Sequence, residues 1–149
     1  MSKVFVGYDT YSIEGVDEEF IRFVFDVTLG SINGEMKSEV GLILADNAKM
    51  RSLNRRYRGK DKPTNVLSFT NQEIAGGVQV EPDKNYLGDI YVGTIVLSDE
   101  AKKLQISEKE RFAQLFVHGL LHLLGWDHEK SAERKEMEAL EDKIVQLTI

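Results

Sequence analysis

The 149-residue chain contains no cysteine, which excludes a disulfide scaffold, a thiolate zinc finger, an iron–sulfur cluster and a cysteine nucleophile. It has only two prolines, against 42% hydrophobic and 30% charged residues. A proline-rich linker, a collagen-like repeat and a disordered tail are thereby excluded. Its most apolar run, residues 115–126, is too short for a bilayer span and carries His118 and His122. The segment Met1 to Asp9 lacks the long apolar stretch of a signal peptide. The expectation is a cytoplasmic protein without a membrane partner, forming one domain over residues 1–149 with a core that needs no staples.

The net charge of −6 hides a local asymmetry. Between Lys49 and Lys62 lie Lys49, Arg51, Arg55, Arg56, Arg58, Lys60 and Lys62, opposed only by Asp61, a local +6 that leaves −12 for the rest of the chain. Fields are screened within about 8–10 Å, so a polyanion can dock at this patch despite the overall sign.

Strands are predicted at residues 3–8, 40–45, 65–69 and 87–97, the second buried on both faces by its continuous apolarity. A helix is predicted over residues 16–29 with the stripe Val16, Phe20, Phe23, Val24 and Val27, stopped by Gly30. Asp46 or Asn47 caps a second helix that turns Met50, Leu53 and Tyr57 inward and its cations outward. Residues 71–86, with Gly76, Gly77 and Pro82, read as a loop or loose hairpin. Ser98 or Asp99 begins a short helix, and Ser107 with Glu110 has capping-box spacing for the next. That next helix is apolar nearly all round from Phe112 to Leu124, hence central and buried, and Gly125 ends it in a left-handed cap. Ser131 starts a charged last helix with the inner stripe Met137, Leu140, Ile144 and Leu147. Strands first and helices last make an α+β fold, a small mixed four-stranded sheet packed with about five helices.

All three histidines fall in one stretch, His118-Gly119-Leu120-Leu121-His122-Leu123-Leu124-Gly125-Trp126-Asp127-His128. On a helix His118 and His122 share a face, and Gly125 lets the chain turn so that His128 folds back to meet them. Three imidazoles on one point leave a tetrahedral position for water, the pattern of a catalytic zinc site rather than a closed structural one. Nothing suggests square-planar geometry, so one zinc ion is favoured, although copper, nickel or iron also bind such a set. The spacing is that of metzincin proteases, which place a glutamate base after the first histidine. Here that residue is Gly119, which can do no acid–base chemistry.

The stretch 118–128 resembles the signature of the YbeY family, metal-dependent endoribonucleases of bacterial rRNA maturation. A second block, Leu53-Asn54-Arg55-Arg56-Tyr57-Arg58-Gly59-Lys60-Asp61-Lys62-Pro63-Thr64-Asn65-Val66-Leu67-Ser68-Phe69, and a third, Leu87-Gly88-Asp89-Ile90, carry the resemblance over essentially the whole chain. The histidine block is the specific one because of Gly119; Trp126 departs from the more usual tyrosine. The resemblance implies a zincin-like fold whose central helix carries the metal motif, a zinc ion on His118, His122 and His128, and single-stranded RNA as substrate. It also implies work in rRNA maturation, including the 3′ end of 16S rRNA, and in ribosome quality control, with the ribosome or small-subunit proteins as partners. Arg58, after the tyrosine of the second block, is implied as catalytic together with His118.

The residues themselves agree with that chemistry. Metal binding lowers the pKa of water toward about 7, so a separate strong base is less essential. An arginine fork matches phosphate oxygens, although the charge run alone does not rank Arg58 above Arg55 or Arg56. Arg55, Arg56, Arg58 and Lys60 are either a track for an RNA backbone or the solvated face of a helix. Asp127 and Glu129 either orient a ligand ring or make local turn contacts, and Asp89 has the same two readings. Two other functions stand beside the nuclease: a metal-dependent hydrolase of another substrate such as a peptide, and a non-catalytic ribosome-maturation factor with structural zinc.

Overall fold

The computed structural model describes residues 2–8, 12–74, 85–126 and 131–149. In chain order its elements are β1 (Lys3–Tyr8), α1 (Glu18–Ser31), β2 (Glu39–Ala45), α2 (Asn47–Arg58), β3 (Val66–Thr70), the single turn α3 (Asn71–Ile74), β4 (Tyr86–Gly93), α4 (Thr94–Leu104), α5 (Glu108–Leu123) and α6 (Ser131–Thr148). The sheet order is β1-β2-β4-β3. β1, β2 and β4 run parallel, and β3 closes one edge antiparallel to β4. The mixed α+β class, the four strands and the five helices longer than one turn are as expected among the described residues. The order is not, because strands and helices alternate as far as β4 before three helices complete the chain.

Local chemistry explains most element boundaries. Asp17, Asp46 and Ser107 cap α1, α2 and α5, each accepting a hydrogen bond from the backbone N–H three residues on. Gly30 lies inside α1 rather than after it. The left-handed residue is Asn33, at φ 54°, and the Gly34 N–H closes back on the Leu29 carbonyl at 2.8 Å. The buried stripe of α1 is Ile21, Val24, Phe25, Thr28 and Leu29, while Phe23 is 47% exposed.

The expected strand at 87–97 ends at Gly93, and α4 starts at Thr94 instead of Ser98. The β-branched Ile95 and Val96 pull locally toward a strand. Packing prevails, because as a helix this segment buries Leu97 and Ala101 on one face. On α6, Met137 and Ile144 are buried as expected, but Val145 replaces Leu147, which is 57% exposed.

The sheet carries apolar side chains on both faces. Leu42 and Leu44 of β2 and Ile90 and Val92 of β4 join the larger core with α1, α5 and α6. Phe25, Phe112 and Phe116 are among its fully buried side chains, each worth about 1.5–3 kcal/mol of burial. Met50 and Leu53 of α2 pack on the opposite face with Ala45, Leu67, Phe69 and Tyr91. Two glycines permit these approaches. A Cβ at Gly88, where φ is +143°, would collide with the Phe69 carbonyl of β3, and one at Gly119 would press within 3.1 Å of Ile90. Gly119 is thus where α5 settles onto β4, a packing reason for the missing side chain. Among the described residues no helix is long and apolar enough to cross a membrane.

Candidate active site

The helix α5 buries Phe112, Phe116, Val117, Leu120 and Leu121 in the core, and only its last turns bring polar rings to an edge of that surface. His118 and His122, one turn apart, have ring centroids 4.6 Å apart at 78°. Their Nε2 atoms approach to 3.1 Å. The Gly125 left-handed turn (φ 96°) follows at once, locked by the Trp126 N–H on the Leu121 carbonyl at 2.9 Å. The chain therefore leaves the helix as the sequence predicts. His128, Asp127 and Glu129 lie outside the described residues.

Both histidines and Gly119 wall a cavity of about 400 Å³, closed on the far side by Ser68 and Thr70 of β3 and by Arg58. Arg58 ends α2 on the opposite face of the sheet and bends round the edge strand to get there. Its Nη2 donates to the Ser68 carbonyl at 3.1 Å, and its Nη1 donates to Glu73 Oε2 at 3.0 Å and to the Tyr57 carbonyl at 3.2 Å. Its guanidinium also lies 5.0 Å from the Phe69 ring centre. Three acceptors and an aromatic face fix the orientation of a group that stays partly open to solvent.

The other cations divide. Arg51 is held by Asp61 at 2.8 Å, and that guanidinium keeps the Asp61 carboxyl below the usual carboxylate range. Arg55, Arg56 and Lys60 are exposed, with Arg56 5.3 Å from the Tyr57 ring centre. Asn54, which the amphipathic pattern does not single out, is buried and donates to the Lys62 carbonyl at 2.9 Å. With Gly59 in the left-handed cap, it folds the basic loop back against α2.

A second cavity of about 380 Å³ opens on the other side of His118, bounded by Asn65, Val66, Arg111, Gln114 and Glu141. Glu100 ties its wall together, accepting from Asn65 at 3.2 Å and from Arg111 at 3.1 Å. Glu141 of α6 is paired with the Nδ1 of His118. An ionised carboxylate only accepts, so in the neutral imidazole that nitrogen carries the proton and Nε2 is the nitrogen left with its lone pair, facing His122.

The donor set fits a zinc ion. Two imidazoles on one zinc, with Zn–N near 2.0–2.1 Å at a tetrahedral angle, place their nitrogens roughly 3.4 Å apart, close to the 3.1 Å seen here. A carboxylate behind one ligand ring is the usual support of such a site. Among the described residues no third donor joins the pair.

Comparison with known proteins is decisive about kinship. The family model described as Endoribonuclease YbeY matches residues 9–148. The chain belongs to the YbeY endoribonuclease family. A relative named Endoribonuclease YbeY from Chelativorans sp. (strain BNC1) is 44% identical over 115 residues, covering 76% of this chain and 68% of its own. Another of that name, from Sulfurihydrogenibium sp. (strain YO3AOP1), is 34% identical over 144 residues, covering 96% and 90%. The solution structure of TM1509 from Thermotoga maritima has a TM-score of 0.61 at 26% identity, covering 99% of this chain and 89% of that one.

The three YbeY-like blocks have distinct physical tasks in this fold. The second builds the capped end of α2, the basic loop and β3, which together aim Arg58 into the first cavity. In the third, Gly88 admits the β3 backbone. Asp89 settles the two readings left open for it: it accepts from the Tyr86 hydroxyl beside Gly41, and burial first, then that bond, pushes the phenol above its ordinary range. Among the described residues Asp89 is thus a structural partner of Tyr86 rather than a support of His118 or His122. Glu73 and Glu141, which pair with Arg58 and His118, are among the residues of the site that sequence reasoning passed over.

Proposed function

We propose that this member of the YbeY family is a cytoplasmic, single-strand-specific and zinc-dependent endoribonuclease. Its work is rRNA maturation, including the 3′ end of 16S rRNA, and ribosome quality control, in contact with the ribosome or small-subunit proteins. The observation that carries this reading is one cavity shared by the His118–His122 pair and a pinned arginine fork. His118 and His122, with His128, are the residues that would hold the ion. When bound, zinc supplies Lewis acidity and a water acidic enough to attack near neutral pH. The arrangement of α5 beneath a mixed sheet whose edge strand borders the site is in keeping with a zincin-like fold.

The remaining chemistry belongs to the chain itself. Arg58 presents its fork to the scissile phosphate and stabilises the charge that builds on its oxygens. Glu73 holds the guanidinium until an incoming phosphate replaces it as the anion. Cavities on both sides of His118 leave room for nucleotides flanking the cleaved bond. Arg55, Arg56 and Lys60 continue the positive surface outward from Arg58 along α2 and its loop, as a track for the strand.

Affinity for a single-stranded oligoribonucleotide is expected to fall steeply as salt rises. Replacing Arg55, Arg56 and Lys60 together by alanine is expected to flatten that slope by roughly 0.7 per lost phosphate contact. An unchanged slope returns these residues to a solvated helix face. The same preparation should cleave single-stranded RNA and leave unfolded casein intact. Casein cleavage without RNA cleavage would replace the nuclease by a peptidase.

A further inference from the structure

The helix α6 turns Met137 and Ile144 fully inward, and Glu141, between them at helical spacing, faces the same way. A carboxylate on an inward stripe loses solvation that only a good partner restores. The side chain of Glu141 is 19% exposed, and its partner is the Nδ1 of His118. Burial and geometry together show a carboxylate on the far side of one imidazole of the 3.1 Å pair. An N–H pinned at Nδ1 leaves neutral His118 a single tautomer, with the Nε2 lone pair turned into the site and the ring held in one orientation.

We propose that Glu141 is the positioning residue of the metal centre: it holds His118 in the tautomer and ring orientation that binds the ion. This rests on the reading of His118 and His122 as zinc ligands. It assigns to the last helix a part in metal affinity beyond packing, and makes α5–α6 docking a condition for an assembled site.

The test uses the full chain as Glu141→Ala and Glu141→Gln, with zinc affinity read by competition against a chelator. Glu141→Ala is expected to bind zinc about 10- to 100-fold more weakly. Glu141→Gln keeps the shape and an accepting oxygen but not the charge, and is expected to recover most of that loss, ending about threefold to tenfold below the parent. The ¹⁵N shifts of the His118 ring in metal-free protein should report the Nδ1–H tautomer in the parent and a mixture in Glu141→Ala. A purely structural clamp would lower the unfolding temperature without moving the tautomer or the metal affinity.

Zinc affinity unchanged in both variants overturns the proposal while leaving the metal site standing. A parent that binds no zinc overturns the metal reading and this proposal together. If Glu141→Ala does not fold, Glu141→Gln alone decides, and parental zinc affinity in that variant overturns the proposal.

Discussion

His118→Ala should give a folded protein that holds no stoichiometric zinc and cleaves single-stranded RNA at least on the order of a thousandfold more slowly than the parent. The expectation follows from the place of the ring. His118 contributes one Nε2 of the 3.1 Å pair, separates the two cavities and lies on a half-open surface rather than in the core, with 31% of its side chain exposed. Its removal therefore opens no large void. It does strip Glu141 of its partner, which costs about 1–3 kcal/mol and lowers the unfolding temperature without abolishing folding. Circular dichroism, metal analysis and a cleavage assay on one sample separate these effects. Full RNA processing by folded, zinc-free His118→Ala would make the protein a maturation factor without catalysis of its own.

The second large effect is expected at Arg58. Lysine there keeps the charge but has no planar fork, so it cannot stay anchored on the Ser68 carbonyl while turning a second donor from Glu73 to a phosphate. Losing one well-placed donor to a developing anion costs about 2–4 kcal/mol of transition-state stabilisation, a fall in rate of roughly a hundredfold to a thousandfold. RNA affinity should change only modestly, because Arg55, Arg56 and Lys60 still supply the field. Single-turnover cleavage at saturating protein, beside a binding titration, reads the two separately. Parental cleavage by Arg58→Lys would reduce Arg58 to a docking residue.

What could be read from the sequence was whatever depends on near neighbours. The Ser107 cap, the i, i+4 histidines and the left-handed turn at Gly125 are local, and all three stand in the structure. Residues whose state depends on remote packing were misread. Ile95 and Val96 look like the continuation of β4, yet the chain turns into α4 after Gly93 because that buries Leu97 and Ala101. Gly30 looks like a helix stop, but Asn33 takes the left-handed position.

Glu141 illustrates the same limit within the site. Its partner lies twenty-three positions away on another helix, and no pattern in α6 announces that contact. One signal was present: a carboxylate at an inward position of the stripe through Met137 and Ile144. The reach of Arg58 around the edge of β3 to the histidine cavity is likewise a product of topology, because only the antiparallel edge strand brings α2 and α5 to opposite sides of one cavity.

The central claim is that the histidine centre and RNA cleavage are one site. Zinc content and cleavage of single-stranded RNA, followed on the same preparation as the metal is removed by a chelator and then restored, test it most directly. The account predicts about one equivalent of zinc per chain at the start, loss of cleavage in step with loss of metal, and recovery of both when zinc is returned. Undiminished cleavage by zinc-free protein would contradict it.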